Sequence, residues 1–385
     1  MKGQQGIAAK MLRAVLVSGD FVRTGGMDMP NFALAKHLAE RGVSVQVVAH
    51  RIDQELTGHP NVRWHRVPKP LGSYLLGSPF LARIGQYVAS KGSVSESRVV
   101  VNGGNCQVYD VNWVHYVHAA YQPDVRGSFL TRTKARLDRE LSLKNERSAL
   151  RKARIVVVNS ERTRRDVTTL LGVDPTRVRT VYYGIDATRF CPPDEERRQS
   201  LRARFGWPNR PQIAFIGALG DRRKGFDTLY GAWASLCKSD TWDCDLVVVG
   251  RGAELPAWQQ RAQEHGLSDR IRFLGFRPDV PDVLAACDAL VAPTRYEAFG
   301  LGVQEALCTG LPAIVSQDAG VAELYPASLA GLLIKDVNSQ LEIETKLKAW
   351  RSLAEPLRAE VAALSTILRR RTWEIMAADF VRLLE

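Results

Sequence analysis

The sequence predicts an α/β protein of two open, doubly wound domains, each a parallel sheet with helices on both faces. Three observations predict it. Short β-branched runs alternate with amphipathic helical stretches, the pattern of parallel strands buried on both faces. The alternation stops once, from about Cys191 to Pro211, and then restarts. A chain of 385 residues is long enough for two cores of ordinary domain size.

The first half opens on Ala14-Val15-Leu16-Val17, then Gly25-Gly26, then a helical pattern at Phe32, Leu34, Ala35, Leu38 and Ala39 that ends at Gly42. Further runs follow at Val43–Val48, Val99–Val101, Val111–Val117, Ile155–Val158 and Val178–Tyr183. Between them Leu130, Leu137, Leu141 and Leu150 mark one face of a long basic helix. Pro192-Pro193, the charged DEERR stretch and Gly206-Trp207-Pro208 read as a linker with a short helix. Strands then recur at Ile213–Ile216, Leu246–Val249, Ile271–Leu274, Ala289–Ala292 and Ala313–Val315, separated by helices. The tail is helical, with Leu357, Val361, Leu364 and Leu368 on one stripe and Trp373, Met376, Phe380 and Leu383 on another. Domains are therefore expected at 1–190 and 191–370. Ligands of such sheets bind beyond the carboxyl ends of the strands, in a cleft.

Composition narrows the function. Hydrophobic residues at 45% and charged residues at 24% exclude a disordered or fibrous chain. No apolar run reaches the roughly 18 residues of a membrane span, and the first residues have too short an apolar core for a secretory signal. A soluble cytoplasmic protein is expected. The six scattered cysteines include no C-x-x-C pair and read as free thiols. The net charge of +12 is unevenly spread: residues 1–190 carry +14 and residues 191–385 carry −2. The excess concentrates between Arg126 and Arg179, where 15 basic residues face 6 acidic ones. Nucleic acid, an anionic membrane or a phosphorylated substrate are all suitable partners for such a surface. The lack of interleaved aromatics along the basic helix argues against nucleic acid.

The most informative stretch runs from Pro293 to Glu305, PTRYEAFGLGVQE. Gly300 and Gly302 favour a tight loop entering a helix whose first N–H groups lack internal partners, a ready phosphate site. Glu305 falls in that helix and Glu297 on the loop before it. A carboxylate accepts hydrogen bonds from both hydroxyls of a vicinal diol, so this pair suits a nucleotide sugar, one acid to each ring. Complementing the helix dipole is the other role open to such an acid. A second stretch, Gly217 to Asp227, follows a strand, opens a helix and carries Arg222, Arg223 and Lys224. Two or three cations there neutralise a diphosphate leaving group, unless they are simply a solvated turn. Gly25-Gly26 follows the first strand but is no G-x-G-x-x-G, which weakens a dinucleotide oxidoreductase reading. His115 and His118 sit three apart at a strand end, with no third metal ligand suggested nearby.

Glu297, then Glu305 seven residues beyond Ala298, with Ala-Phe-Gly after the first acid, resembles the motif of the retaining family 4 glycosyltransferases, which have the GT-B fold. The resemblance covers nearly the whole chain. It implies two Rossmann-like domains facing across a cleft, with residues 371–385 a helix crossing back to the N-terminal domain. It implies that Glu305 holds the nucleotide ribose, and that Glu297 with the backbone of Phe299, Gly300 and Leu301 holds the transferred sugar. Lys224 matches the family's Lys-Gly, while Ala218 stands where the family usually has Arg, so that Arg222 or Arg223 takes the role. Gly25 and Gly26 match the glycine loop near the donor phosphates. His118 best matches the family's strand-end His near the sugar, with His115 in reserve. Asn159-Ser160 and Tyr183-Gly184-Ile185-Asp186 match further segments, and Arg277 lies in a loop whose backbone reads the base. The implied activity is metal-independent transfer of a hexose, with no cofactor, from a UDP or GDP sugar to a glycan or lipid-linked acceptor in polysaccharide or glycoconjugate biosynthesis. A nucleotide-sugar epimerase, a glycosidase using the Glu pair and a non-catalytic binding subunit are the competing readings. The basic surface is expected either to hold the enzyme at anionic lipid or to guide an anionic acceptor.

Overall fold

In the computed structural model, which describes residues 13–91, 97–124, 129–220 and 222–384, the apolar runs form two all-parallel sheets. The first has seven strands: β1 Arg13–Val17, β2 Ser44–Ala49, β3 Val62–Arg66, β4 Ser97–Asn102, β5 Val111–Val114, β6 Ile155–Val158 and β7 Val178–Thr180. Their order is β3-β2-β1-β4-β5-β6-β7. The second has six: β8 Gln212–Ile216, β9 Asp245–Val249, β10 Ile271–Gly275, β11 Ala289–Ala292, β12 Ala313–Ser316 and β13 Leu333–Ile334, in the order β10-β9-β8-β11-β12-β13. Both orders run outward from the first strand and then reverse, the doubly wound arrangement. A parallel sheet needs a crossover at every step, and helices supply it on both faces. That is why Ala14–Val17 and Leu246–Val249 are buried throughout.

The helices longer than a single turn are α1 Asp28–Glu40, α2 Tyr74–Ser90, α3 Phe129–Lys152, α4 Glu161–Thr169, α5 Glu195–Phe205, α6 Phe226–Leu236, α7 Leu255–Glu264, α8 Val280–Ala286, α9 Leu301–Cys308, α10 Gln340–Ser352, α11 Ala354–Leu368 and α12 Trp373–Arg382. The chain divides into two compact units, Met1–Gln122 with Gly127–Gly184 and Thr372–Glu385, and Pro123–Arg126 with Ile185–Arg371. The division falls ahead of the compositional break at Cys191, because Ile185 and Phe190 already pack in the core of the second unit. Its return falls at Thr372, whose hydroxyl caps α12. Helix α12 packs on α1, and its Phe380 ring lies 4.4 Å from that of Trp113. The two crossings run side by side: the Ile185 N–H donates to Arg371 O at 3.0 Å, and a Cβ on Gly184 would fall 2.5 Å from Thr372 O.

Several elements differ from the sequence expectation. Strand β3 was not foreseen, because VRWHR is an edge strand with no continuous apolar run. The linker is largely helix α5, packed on α8 through Leu201 against Ala285 and Ala286. In α3, Leu150 is buried but Leu137 and Leu141 are 61% and 48% exposed, so these leucines do not share one buried face. The side chain of Leu130 lies outside the described residues. Instead Glu146, Ala149, Leu150 and Ala153 are the buried positions at that end of the helix. The six cysteines are free. Among the described residues no helix is long and apolar enough to cross a membrane.

Candidate active site

In the second unit the strand order reverses between neighbours β8 and β11, and both informative stretches leave the carboxyl ends of these two strands. Such a switch point is where open α/β sheets take ligands. The two loops interlock. Gly225 has φ +70°, and a Cβ there would fall 1.9 Å from Pro293 O, so only glycine admits this approach. Arg295 ties the loops further. Its N–H donates to Arg223 O at 2.8 Å, and its guanidinium donates to Arg222 O at 2.6 Å, to both Asp227 oxygens at 2.7 and 3.0 Å, and to Thr228 Oγ1 at 3.0 Å.

This lacing brings three predicted residues together. The Lys224 ammonium donates to Glu297 Oε2, and Arg223 lies 3.8 Å from the same oxygen while donating to Tyr296 O at 3.2 Å. Burial would raise the Glu297 pKa, but Lys224 and Arg223 outweigh it and hold the carboxyl below its ordinary value. Arg222 is placed differently. It adopts φ +56°, in the left-handed region, and its guanidinium sits 3.5–3.8 Å from carboxylates of Asp227, Glu254 and Asp124. Of the two candidates for the cation missing at Ala218, Arg223 is therefore the one beside Glu297. Asp221 of the same stretch lies outside the described residues.

Gly300, with φ +110°, opens α9, and a Cβ there would press on Val321 at 2.9 Å. The Gly320 N–H donates to Glu297 O at 3.1 Å and the Val321 N–H to Phe299 O at 2.6 Å, which fixes the loop while Phe299 anchors it in the core. The first N–H groups of α9, from Leu301, follow directly. Glu305 lies on α9 itself; burial pushes its carboxyl up to about 8, with Arg189 opposing that rise. Arg189 was not foreseen, as it lies past the Tyr183-Gly184-Ile185-Asp186 segment and within no motif. Arg277 is held by Asp279 through two hydrogen bonds of 2.8 and 2.6 Å, which leaves its loop shaped but its guanidinium engaged.

The first unit carries the other predicted residues at the carboxyl ends of its strands. Gly25 has φ +104°, and Asp28 Oδ2 lies 3.3 Å from where its Cβ would stand. Burial, with Asp20 adding to it, pushes Asp28 up to about 7. The two histidines separate clearly. His115 is buried, bonded to Tyr183 and Asn31, and burial lowers it to about 3. His118 lies on the turn after β5, where desolvation of its ring and then Arg139 lower its pKa. That turn has a support the sequence reading missed: Glu146 of α3 accepts the N–H groups of His118 at 2.9 Å and Ala119 at 3.3 Å. An acid on the stripe of Ala149, Leu150 and Ala153 was the available signal. Asn159 donates to Tyr183 Oη at 3.0 Å and Ser160 accepts from the Thr163 N–H at 3.0 Å, so this pair braces the sheet edge and caps α4.

Comparisons with known proteins bear on the family and the fold. The D-inositol 3-phosphate glycosyltransferase of Salinispora tropica is 28% identical over 349 residues, covering 80% of this chain and 70% of that protein. The alpha-D-kanosaminyltransferase of Streptomyces kanamyceticus is 28% identical over 192 residues, 49% of each chain. Several of the curated relatives are thus matched over only about half of their length. Among solved structures, WaaG, a glycosyltransferase involved in lipopolysaccharide biosynthesis, superposes with a TM-score of 0.76 at 20% identity, over 97% of this chain and 99% of its own. Anabaena Alr3699/HepE in complex with UDP and glucose gives 0.73 at 18%, over 97% and 99%. These likenesses place the fold as GT-B. The model described as Glycosyltransferase Family 4 matches residues 24–189 and that of Glycosyl transferases group 1 matches residues 197–361, and the chain belongs to the family 4 glycosyltransferases.

Proposed function

We propose that the protein transfers a hexose from a UDP or GDP sugar, with retention at the anomeric carbon and without a metal, to a glycan or lipid-linked acceptor. The observation that carries the reading is the Lys224–Glu297 pair beside Arg223, at the mouth of a glycine-opened helix with Glu305 inside it. Lys224, Arg223 and the α9 N-terminus put positive charge where a diphosphate would leave. In the resting site Glu297 neutralises that charge. A donor would take over both cations, and the freed carboxylate would turn to the sugar hydroxyls. Glu305 would accept the ribose diol. The first unit would supply the acceptor side, with the Gly25-Gly26 loop and His118 at its strand ends. The leaving phosphate can itself take the acceptor's proton, so no strong protein base is required. A protein of the same fold binds UDP and UDP-glucose, which supports a donor of this class.

The test is a thermal-shift screen against nucleotide diphosphates and their sugars, followed by transfer assays. Glu305→Ala and Lys224→Ala should keep the fold and lower transfer by about 10²–10³-fold. Full transfer by both variants would refute the site. Incubation with donor alone, giving an epimer or free sugar in place of transfer, would favour the epimerase or hydrolase instead.

A further inference from the structure

The basic excess of the first unit is not spread evenly over its surface. A groove of about 590 Å³ runs along α3, with Arg139, Lys144, Arg147 and Arg151 on its wall. Ala119, Leu143 and Leu171 add apolar lining, and Glu140 is the one acid that lines it. Several arginines of this chain share buried carboxylates: Arg270 and Arg272 meet Asp245, and Arg198 and Arg202 meet Asp288. The groove holds no such buried acid among its lining residues. Arg139, Lys144 and Arg147 form no ion pair with any described residue, and Arg139 Nε is buried with no hydrogen-bond partner. A buried donor left unsatisfied is costly, and three unpaired cations side by side repel one another. Both penalties are relieved by an anion. Arg151 is the exception, tied to Leu171 O at 3.0 Å, and acts as wall.

The position is as informative as the charge. Ala119 belongs to the turn that carries His118, and Glu146 of the same helix holds that turn from beneath. Arg139 lies close enough to disfavour the protonated His118 ring. The groove therefore adjoins the strand-end turn placed above on the acceptor side. Its volume is large enough for a discrete phosphate-bearing ligand.

We propose that the groove is a subsite for a phosphate-bearing acceptor, whose phosphate is held by Arg139, Lys144 and Arg147 and whose hydroxyl end reaches the His118 turn. The placement of the hydroxyl rests on the transferase reading; the anion site does not. Forked and point-charge donors together are the usual means of holding a phosphate ester.

The test titrates the whole protein with inorganic pyrophosphate, read on the His118 ring signals by NMR. Wild type and K134Q, a control on the same helix but outside the groove, should give a saturable shift. R139Q/K144Q should bind at least about tenfold more weakly. Equal binding by all three proteins, or no saturable shift in wild type, overturns the proposal. So does a membrane outcome: R139Q/K144Q losing sedimentation with phosphatidylglycerol–phosphatidylcholine vesicles while pyrophosphate leaves His118 unmoved. Donor thermal shift should survive in R139Q/K144Q and vanish in Glu305→Ala. Groove binding without any donor binding would refute the transferase reading and leave the anion site standing.

Discussion

Glu297 and Glu305 are the same residue type in opposite states. Two cations hold the first ionised, while burial keeps the second protonated up to about 8. Because the folded protein disfavours ionised Glu305, this residue lowers stability progressively as pH rises from the ordinary glutamate value through about 8. A ribose diol donates to the carboxylate and so favours the ionised form. Donor affinity should therefore rise with pH up to about 8 and then level off. Calorimetric titration with the donor's nucleotide diphosphate checks this, and Glu305→Gln should flatten the profile. The arginines next to Lys224 give a second comparison. Arg223→Gln should weaken donor binding about tenfold or more, and Arg222→Gln, whose side chain faces three acids, should change it little. A direct binding assay with the two variants decides; the reverse order would reassign the missing cation.

The loops of the site work as one laced element. Arg295 donates to a backbone carbonyl, a carboxylate and a hydroxyl of the opposite loop, a pattern that a planar fork can satisfy and an ammonium cannot. Arg295→Lys should lower kcat/KM by about 10–100-fold, mainly through the donor KM, and Asp227→Asn should act through the same contact. Steady-state kinetics of the single and double variants should find the two losses far from additive. This lacing also marks what the sequence could convey. Strand–helix alternation, the glycines and the acid pair were legible because their spacing along the chain carries the information. Arg295 carries no signal of its own within the motif, since its partners Asp227 and Thr228 lie far away in sequence. Glu146 and Arg189 were hidden for the same reason. Strand β3 escaped because an edge position asks for no apolar run. The choice between His115 and His118 needed burial, which periodicity alone does not give.

At the scale of the molecule, the first unit is discontinuous: α12 completes it after the chain has built the second. Trp373, Met376 and Phe380 are buried there, and each large apolar side chain contributes roughly 1.5–3 kcal/mol. Their sum is comparable with the whole stability of many domains, about 5–15 kcal/mol. Ending the chain at Arg371 should thus unfold the first unit and spare the second, seen as the loss of one calorimetric transition and selective proteolysis before Gly184. Two intact transitions would contradict the packing. The paired crossings at Gly184–Ile185 and Arg371–Thr372 carry a consequence for biosynthesis. On the ribosome, the sheet that is made first waits with the α1 face bare until the final helix leaves the exit tunnel. Its half-built surface is both strongly cationic and partly apolar, so this waiting interval leaves the nascent chain open to misassociation.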